Sequence, residues 1–126
     1  MANWSIEDLQ GVKPEHRRKM APFNRGLEAP DIATGVLTVT KLAVDPQPES
    51  GTTDTVDSIV WGGFGALGAG DMLFIHVPAT NTITFDDANI NLAAATRAVA
   101  PGGSLLLIYD GTEWSEMFFT AATDNT

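Results

Sequence analysis

The chain contains no cysteine, which excludes disulfides, thiolate nucleophiles and cysteine-ligated zinc. Histidine is nearly as scarce. His16 and His76 are the only two, and they lie far apart in sequence, so a paired-histidine metal site is not expected. Bases are few as well: seven Lys and Arg stand against sixteen Asp and Glu, for a net charge of −9. An acidic chain of this kind repels nucleic acid, whose binding depends on neutralising phosphates. No apolar run is long enough to cross a bilayer, and no membrane partner is expected. Residues 1–8, Met-Ala-Asn-Trp-Ser-Ile-Glu-Asp, lack the basic-then-apolar layout of a signal peptide, so synthesis in a cytoplasm is the expectation.

What remains is an ordinary globular composition, 44% apolar over 126 residues, enough for one modest core. Its charge is uneven. Residues 1–30 hold Lys13, Arg17, Arg18, Lys19 and Arg25 against Glu7, Asp8, Glu15 and Glu28, a net of +1, while the rest of the chain carries −10. Two regions separate on pattern, an N-terminal arm over 1–35 and a body over 36–126. The arm is punctuated by Pro14, Pro22 and Pro30 and by Gly11, Gly26 and Gly35, with no sustained period. Ser5 and Asp8 before Leu9 resemble a capping box, and Pro14 suits the first turn of a second short helix, so the arm is read as extended with short helical turns. Trp4, Ile6, Leu9, Val12, Met20, Phe23 and Leu27 make it too apolar for an idle tail and too scattered for a core of its own. Such an arm lies on something: its own domain, a neighbouring copy or another protein.

From Val36 onward the pattern is β. Val36–Val44 is rich in branched residues and ends at Asp45-Pro46-Gln47-Pro48-Glu49, expected to be a turn or loop outside any ladder. Thr55–Trp61 alternates as a half-buried strand, and the glycines between 62 and 70 follow as a flexible connection. Met72–Val77 reads as a strand stopped by Pro78, with Asn81–Phe85 as its partner and Asn89–Leu92 as a short strand beyond. Ala93–Ala98 has the propensity for a helical turn. Leu105–Tyr109 meets Asp110-Gly111, the strongest short hairpin signal, and Trp114, Met117 and Phe118 lie on the return strand. Short strands at close intervals predict an all-β body, a small antiparallel sandwich or barrel of jelly-roll type. Its expected core is Ile59, Leu73, Ile75, Val77, Ile83, Phe85, Ile90, Leu92, Leu105 and Leu107.

Over residues 54–119 the ordered set Thr55-Val56-Asp57-Ser58-Ile59, Gly70-Asp71-Met72-Leu73-Phe74-Ile75, Thr82-Ile83-Thr84-Phe85, Asn89-Ile90-Asn91-Leu92 and Tyr109-Asp110-Gly111-Thr112-Glu113-Trp114 resembles a β-module of tailed-bacteriophage virion proteins. The resemblance implies a structural part of a virion: a head decoration (cement) protein, a head fibre or a tail fibre. Gly70 would permit the turn into its strand and Asp71 would bond nearby amides. Asn89 and Asn91 would bond loop backbone, and Trp114 would cover one end of the core. With a short length and a non-repetitive arm, decoration of the capsid exterior is the leading expectation, with the major capsid protein as partner and no enzymatic activity. A carbohydrate-contacting tail-fibre or receptor-binding module is the alternative. Contacts to the coat or to a neighbouring copy are expected from Trp4, Ile6, Leu9, Arg17, Arg18, Lys19, Phe23, Arg25 and Leu27. Self-association, as a trimer, is expected through Met72, Phe74 and His76, which lie on the strand face opposite Leu73 and Ile75.

Other constellations read more simply as structure. Asp86, Asp87, Asn89 and Asn91 offer oxygen ligands to calcium without the spacing of a dedicated loop, and a polar turn is the plainer reading. Asp71, Asp110, Glu113 and Glu116 could pair as glycosidase carboxylates, yet such acids usually sit on loops and edges. The glycines at 62, 63 and 65 lack the Gly-Lys-Ser/Thr of a phosphate cradle. Trp61, Tyr109 and Trp114 suit packing better than sugar stacking. No cofactor is expected.

Overall fold

In a computed structural model the chain is described over residues 27–121, apart from Ala79 and Asp87. The expected helical turns of the arm, and its contact residues Trp4, Ile6, Leu9, Arg17, Arg18, Lys19, Phe23 and Arg25, lie outside the described residues. The body is all-β, as expected of a small sandwich-like domain, and the described residues include no helix. The described residues form eleven strands: β1 (Ile32–Ala33), β2 (Val36–Val39), β3 (Ala43–Val44), β4 (Thr53–Val56), β5 (Ser58–Trp61), β6 (Met72–His76), β7 (Thr82–Phe85), β8 (Ile90–Asn91), β9 (Arg97–Val99), β10 (Ser104–Tyr109) and β11 (Trp114–Thr120). They make three sheets, ordered β1-β2-β5, β3-β6-β10-β11-β8 and β4-β7-β9.

The pairing is not purely antiparallel. β2 with β5, β3 with β6, β4 with β7 and β8 with β11 are parallel. Parallel neighbours need a long crossover, usually a helix. Here the crossover is made of strands: the chain visits the three sheets in turn, β2, β3, β4, and then repeats the circuit as β5, β6, β7, each strand beside its predecessor. One core fills the middle. Leu37, Val39, Val44, Val56, Ile59, Leu73, Ile75, Ile83, Phe85, Val99, Leu105, Leu107 and Trp114 are all buried in it, drawn from all three sheets. Every residue of the expected core is buried except Leu92, which is half-buried against it.

Two expected strands are each bent into two. The Thr55–Trp61 run divides at Asp57, whose amide and that of Ser58 both donate to the Gly35 carbonyl at 2.7 and 3.2 Å. That corner lets Val56 and Ile59, three residues apart, both face inward. Val36–Val44 divides at Thr40–Leu42, where the Glu28 carboxylate accepts from the amides of Thr40 and Lys41 at 3.0 and 3.2 Å and from the Thr40 hydroxyl. Two further expectations are corrected. Asn81–Phe85 does not pair with Met72–Val77: β7 lies between β4 and β9 in another sheet, because the turn after Pro78 carries the chain across a corner rather than back. Ala93–Ala98 is not helical, since Arg97–Val99 pairs with β7 and ladder bonds outweigh a weak helical propensity.

The body also begins earlier than residue 36. Glu28 bridges Val44, Asp31 bridges Gln47, and β1 pairs with β2 so that Ile32 is buried. The β1–β2 connection is Thr34-Gly35, both at positive φ of 52° and 79°, as a tight primed turn requires.

Candidate functional site

Side chains alternate across a strand, so the five-stranded sheet shows the core one row of residues and presents the other outward. Leu73, Ile75, Leu105 and Leu107 point inward and are fully buried. The intervening residues, Met72, Phe74, Leu106 and Ile108, are therefore outward, and they are apolar too. Register sets them side by side: Leu106 faces Phe74 on one flank and Phe118 on the other, and Ile108 faces Met72. A bulge in β11 opposite Leu106 and Leu107 leaves Met117 without a partner. It returns Glu116 and Phe119 to the same inward side, although they are three positions apart. It also leaves Met117 and Phe118 exposed at 53% and 58%, with Met72 at 44%. Ser104, Ser115 and Thr120 continue the face, and no Asp, Glu, Lys or Arg occupies its outward strand positions.

Met72, Phe74 and His76 thus lie on one outward strip, as their spacing predicts. β6 is an interior strand between β3 and β10, so any contact there is made by side chains rather than by strand addition. His76 stands at the margin, with Nδ1 3.1 Å from Asp45 Oδ1. Leu27 is 39% exposed and directly precedes Glu28, which bridges Val44. That register puts it at the end of the row Ala43, Phe74, Leu106, Phe118. Leu106, Ile108, Met117 and Phe118 extend the predicted strip into a face. The signal for them was present: Leu105–Ile108 and Met117–Phe119 are unbroken apolar runs, which is how a strand covered on both sides reads.

Of the four carboxylates weighed as a catalytic pair, those of Asp71, Asp110 and Glu116 are engaged in the fold, while Glu113 takes part through its backbone. Asp71 accepts from the Gly68 amide at 2.9 Å and follows Gly70, at a φ of 97°, as the turn reading expects. Asp110 accepts from the amides of Thr112 and Glu113, both at 2.8 Å, and those bonds, Glu113's foremost, hold its carboxyl below the usual range. Glu116 takes two bonds from Arg97 at 2.8 and 2.9 Å, which lowers its pKa against the opposing effect of burial and raises that of Arg97. The Arg97 guanidinium also lies 4.7 Å from the centroid of the Phe119 ring.

Asn89 bonds backbone as expected. Its Oδ1 accepts from the Ile59 amide at 2.9 Å and its Nδ2 donates to the Ile59 carbonyl at 2.7 Å, in place of a strand. Asn91 is exposed in β8, and Asp87 is outside the described residues. Among the described residues no three metal-ligating side chains come together. Trp114 is buried with the Tyr109 ring tilted over it at 5.2 Å, and Trp61 Nε1 donates to the Gly65 carbonyl, so these aromatics fasten loops to the core. Comparison with known protein families and with curated proteins finds no match to this chain.

Proposed function

We propose that this chain is a structural protein of a tailed-bacteriophage virion, a decoration protein that binds the outside of the head and stabilises the coat lattice. The observation that carries the reading is the pairing of an acidic body with one broad apolar face free of Asp, Glu, Lys and Arg, on a chain whose ordered motifs over 54–119 resemble virion β-modules. A protein that works by covering seams between subunits needs such a face. It also needs an outer surface that stays soluble and does not adhere to nucleic acid. Binding only the assembled shell stabilises it by mass action, and many weak contacts repeated over a lattice sum to a large effect. In this reading the arm, through Trp4, Ile6, Leu9, Phe23 and Leu27 with Arg17, Arg18, Lys19 and Arg25, engages acidic surfaces of the major capsid protein. Met72, Phe74 and His76 contact neighbouring copies in a trimer.

The test is co-sedimentation of the full chain with empty heads built from the major capsid protein of the same phage. Saturable binding that protects the heads from heat, weakened by salt and by Arg17→Glu with Arg18→Glu, is the expected result. Heads left unbound while the chain binds host polysaccharide would transfer it to the receptor-binding class. Exposed Phe64 in the glycine-rich connection, three positions after half-buried Trp61, gives that second reading an aromatic foothold.

A further inference from the structure

Soluble single-chain proteins rarely leave a contiguous apolar patch bare, and six outward residues form one here: Met72, Met117 and Phe118 exposed, with Phe74, Leu106 and Ile108 half-buried between them. We infer that residues 1–26 of this chain dock across that face of their own body. The first observation is where the described chain begins. Leu27 stands at the rim of the face, at the end of the row that runs through Ala43, Phe74, Leu106 and Phe118. Residues 1–26 therefore join the body at the edge of the sheet they are inferred to cover. Gly26, immediately before Leu27, gives the backbone freedom to turn back over that edge.

Length is the second. Extended, 26 residues reach about 85 Å, whereas five strands are only about 20 Å across. A segment half as long as this one, even folded back on itself, crosses the sheet. The third is chemistry. Trp4, Ile6, Leu9, Val12, Met20 and Phe23 supply apolar groups of the size the face lacks a cover for. The same segment holds five of the seven bases, and residues 27–126 hold all the acids but Glu7, Asp8 and Glu15, so arm and body attract. A tether this short also holds the two at an effective concentration of about millimolar, which favours the chain's own face over that of another copy.

The inference concerns the free chain and does not rest on the virion reading. Should that reading hold, the arm must leave the face to reach the coat. The face would then open to neighbouring copies only on the shell.

The absence of cysteine makes a direct test clean. Phe118→Cys is combined with Phe23→Cys in one full-length variant and with Trp4→Cys in another. Thr38→Cys with Phe23→Cys is the control, Thr38 being exposed on a different sheet. On mild oxidation at least one Phe118 pair is expected to close within the chain, much faster than the control and at a rate unchanged by dilution. Disulfides that form only between chains, and slow on dilution, overturn docking on the chain's own body and assign the face to a second copy. Closure no faster than the control overturns docking altogether. A second measurement needs no cysteine: Met72 and Met117 of the full chain should resist peroxide, and Trp4→Ser with Phe23→Ser should speed their oxidation several-fold. Equal rates in the two proteins also overturn the inference.

Discussion

Arg97 and Glu116 join two sheets by a two-pronged ion pair, Nε to Oε1 at 2.8 Å and Nη2 to Oε2 at 2.9 Å. Arg97 stands opposite Phe85 in β9, and Glu116 opposite Leu107 in β11. Both partners of that register are buried, so the pair closes the end of the core where the two sheets meet. Glu116 also accepts from the Ala93 amide at 3.3 Å, which secures the bends leading into β9.

Glu116→Gln should therefore lower stability in a pH-dependent way. The carboxyl is held below its ordinary value in the folded chain, so its contribution is complete above the unfolded pKa of about 4.3. It is lost as pH falls through the depressed folded value. Melting curves of the two proteins should differ at neutral pH and converge in acid. A difference that persists unchanged in acid would show that the charge on Glu116 contributes nothing.

Asn89 replaces a strand for Ile59, satisfying both its amide and its carbonyl. Asn89→Ala leaves those two groups without protein partners and should cost about 1–3 kcal/mol in denaturant unfolding. Asn89→Asp should also destabilise, since a carboxylate cannot donate to the Ile59 carbonyl.

Thr34 sits at a φ of 52°, uncommon for a branched residue, in the turn it shares with Gly35. Thr34→Asn, giving the turn its preferred Asn-Gly pair, should raise stability by up to about 1 kcal/mol. Gly35→Ala should do the reverse, because a Cβ there would strike the Asp57 carboxylate.

Leu107→Ala should cost about 2–5 kcal/mol, as Leu107 is fully buried at the centre of the five-stranded sheet. A negligible shift in the unfolding midpoint would place it outside the core.

Local chemistry made much of this fold readable. Asp110-Gly111 marks the β10–β11 hairpin, Gly70-Asp71 marks the turn into β6, and alternation picks Leu73, Ile75, Leu105 and Leu107 for the interior. The corners were harder. Nothing in Val56-Asp57-Ser58 distinguishes a bend from a continuous strand, because the bond that makes it comes from Gly35. The partner of β7 is hidden from the sequence for the same reason. A hairpin is settled by the residues between its strands, whereas β4 and β7 become neighbours only after the chain has travelled around two other sheets. The apolar face was half legible. Met72 and Phe74 follow from period two, and the apolar run Met117–Phe119 marks Phe118 as a packing residue, but the side it faces is set by the bulge at Met117, which no local signal marks.

A chain wound through three sheets leaves no half of itself able to stand alone. Leu37 gains its neighbour Ile59, and Val44 its neighbour Ile75, only when the following circuit is laid down. Cooperativity is thus written into the path, and unfolding should be all-or-none, without a surviving fragment. A protease that cuts the glycine-rich connection between β5 and β6 would sever the backbone yet leave the two pieces joined, the first still lending β3 and β4 to the sheets that the second completes.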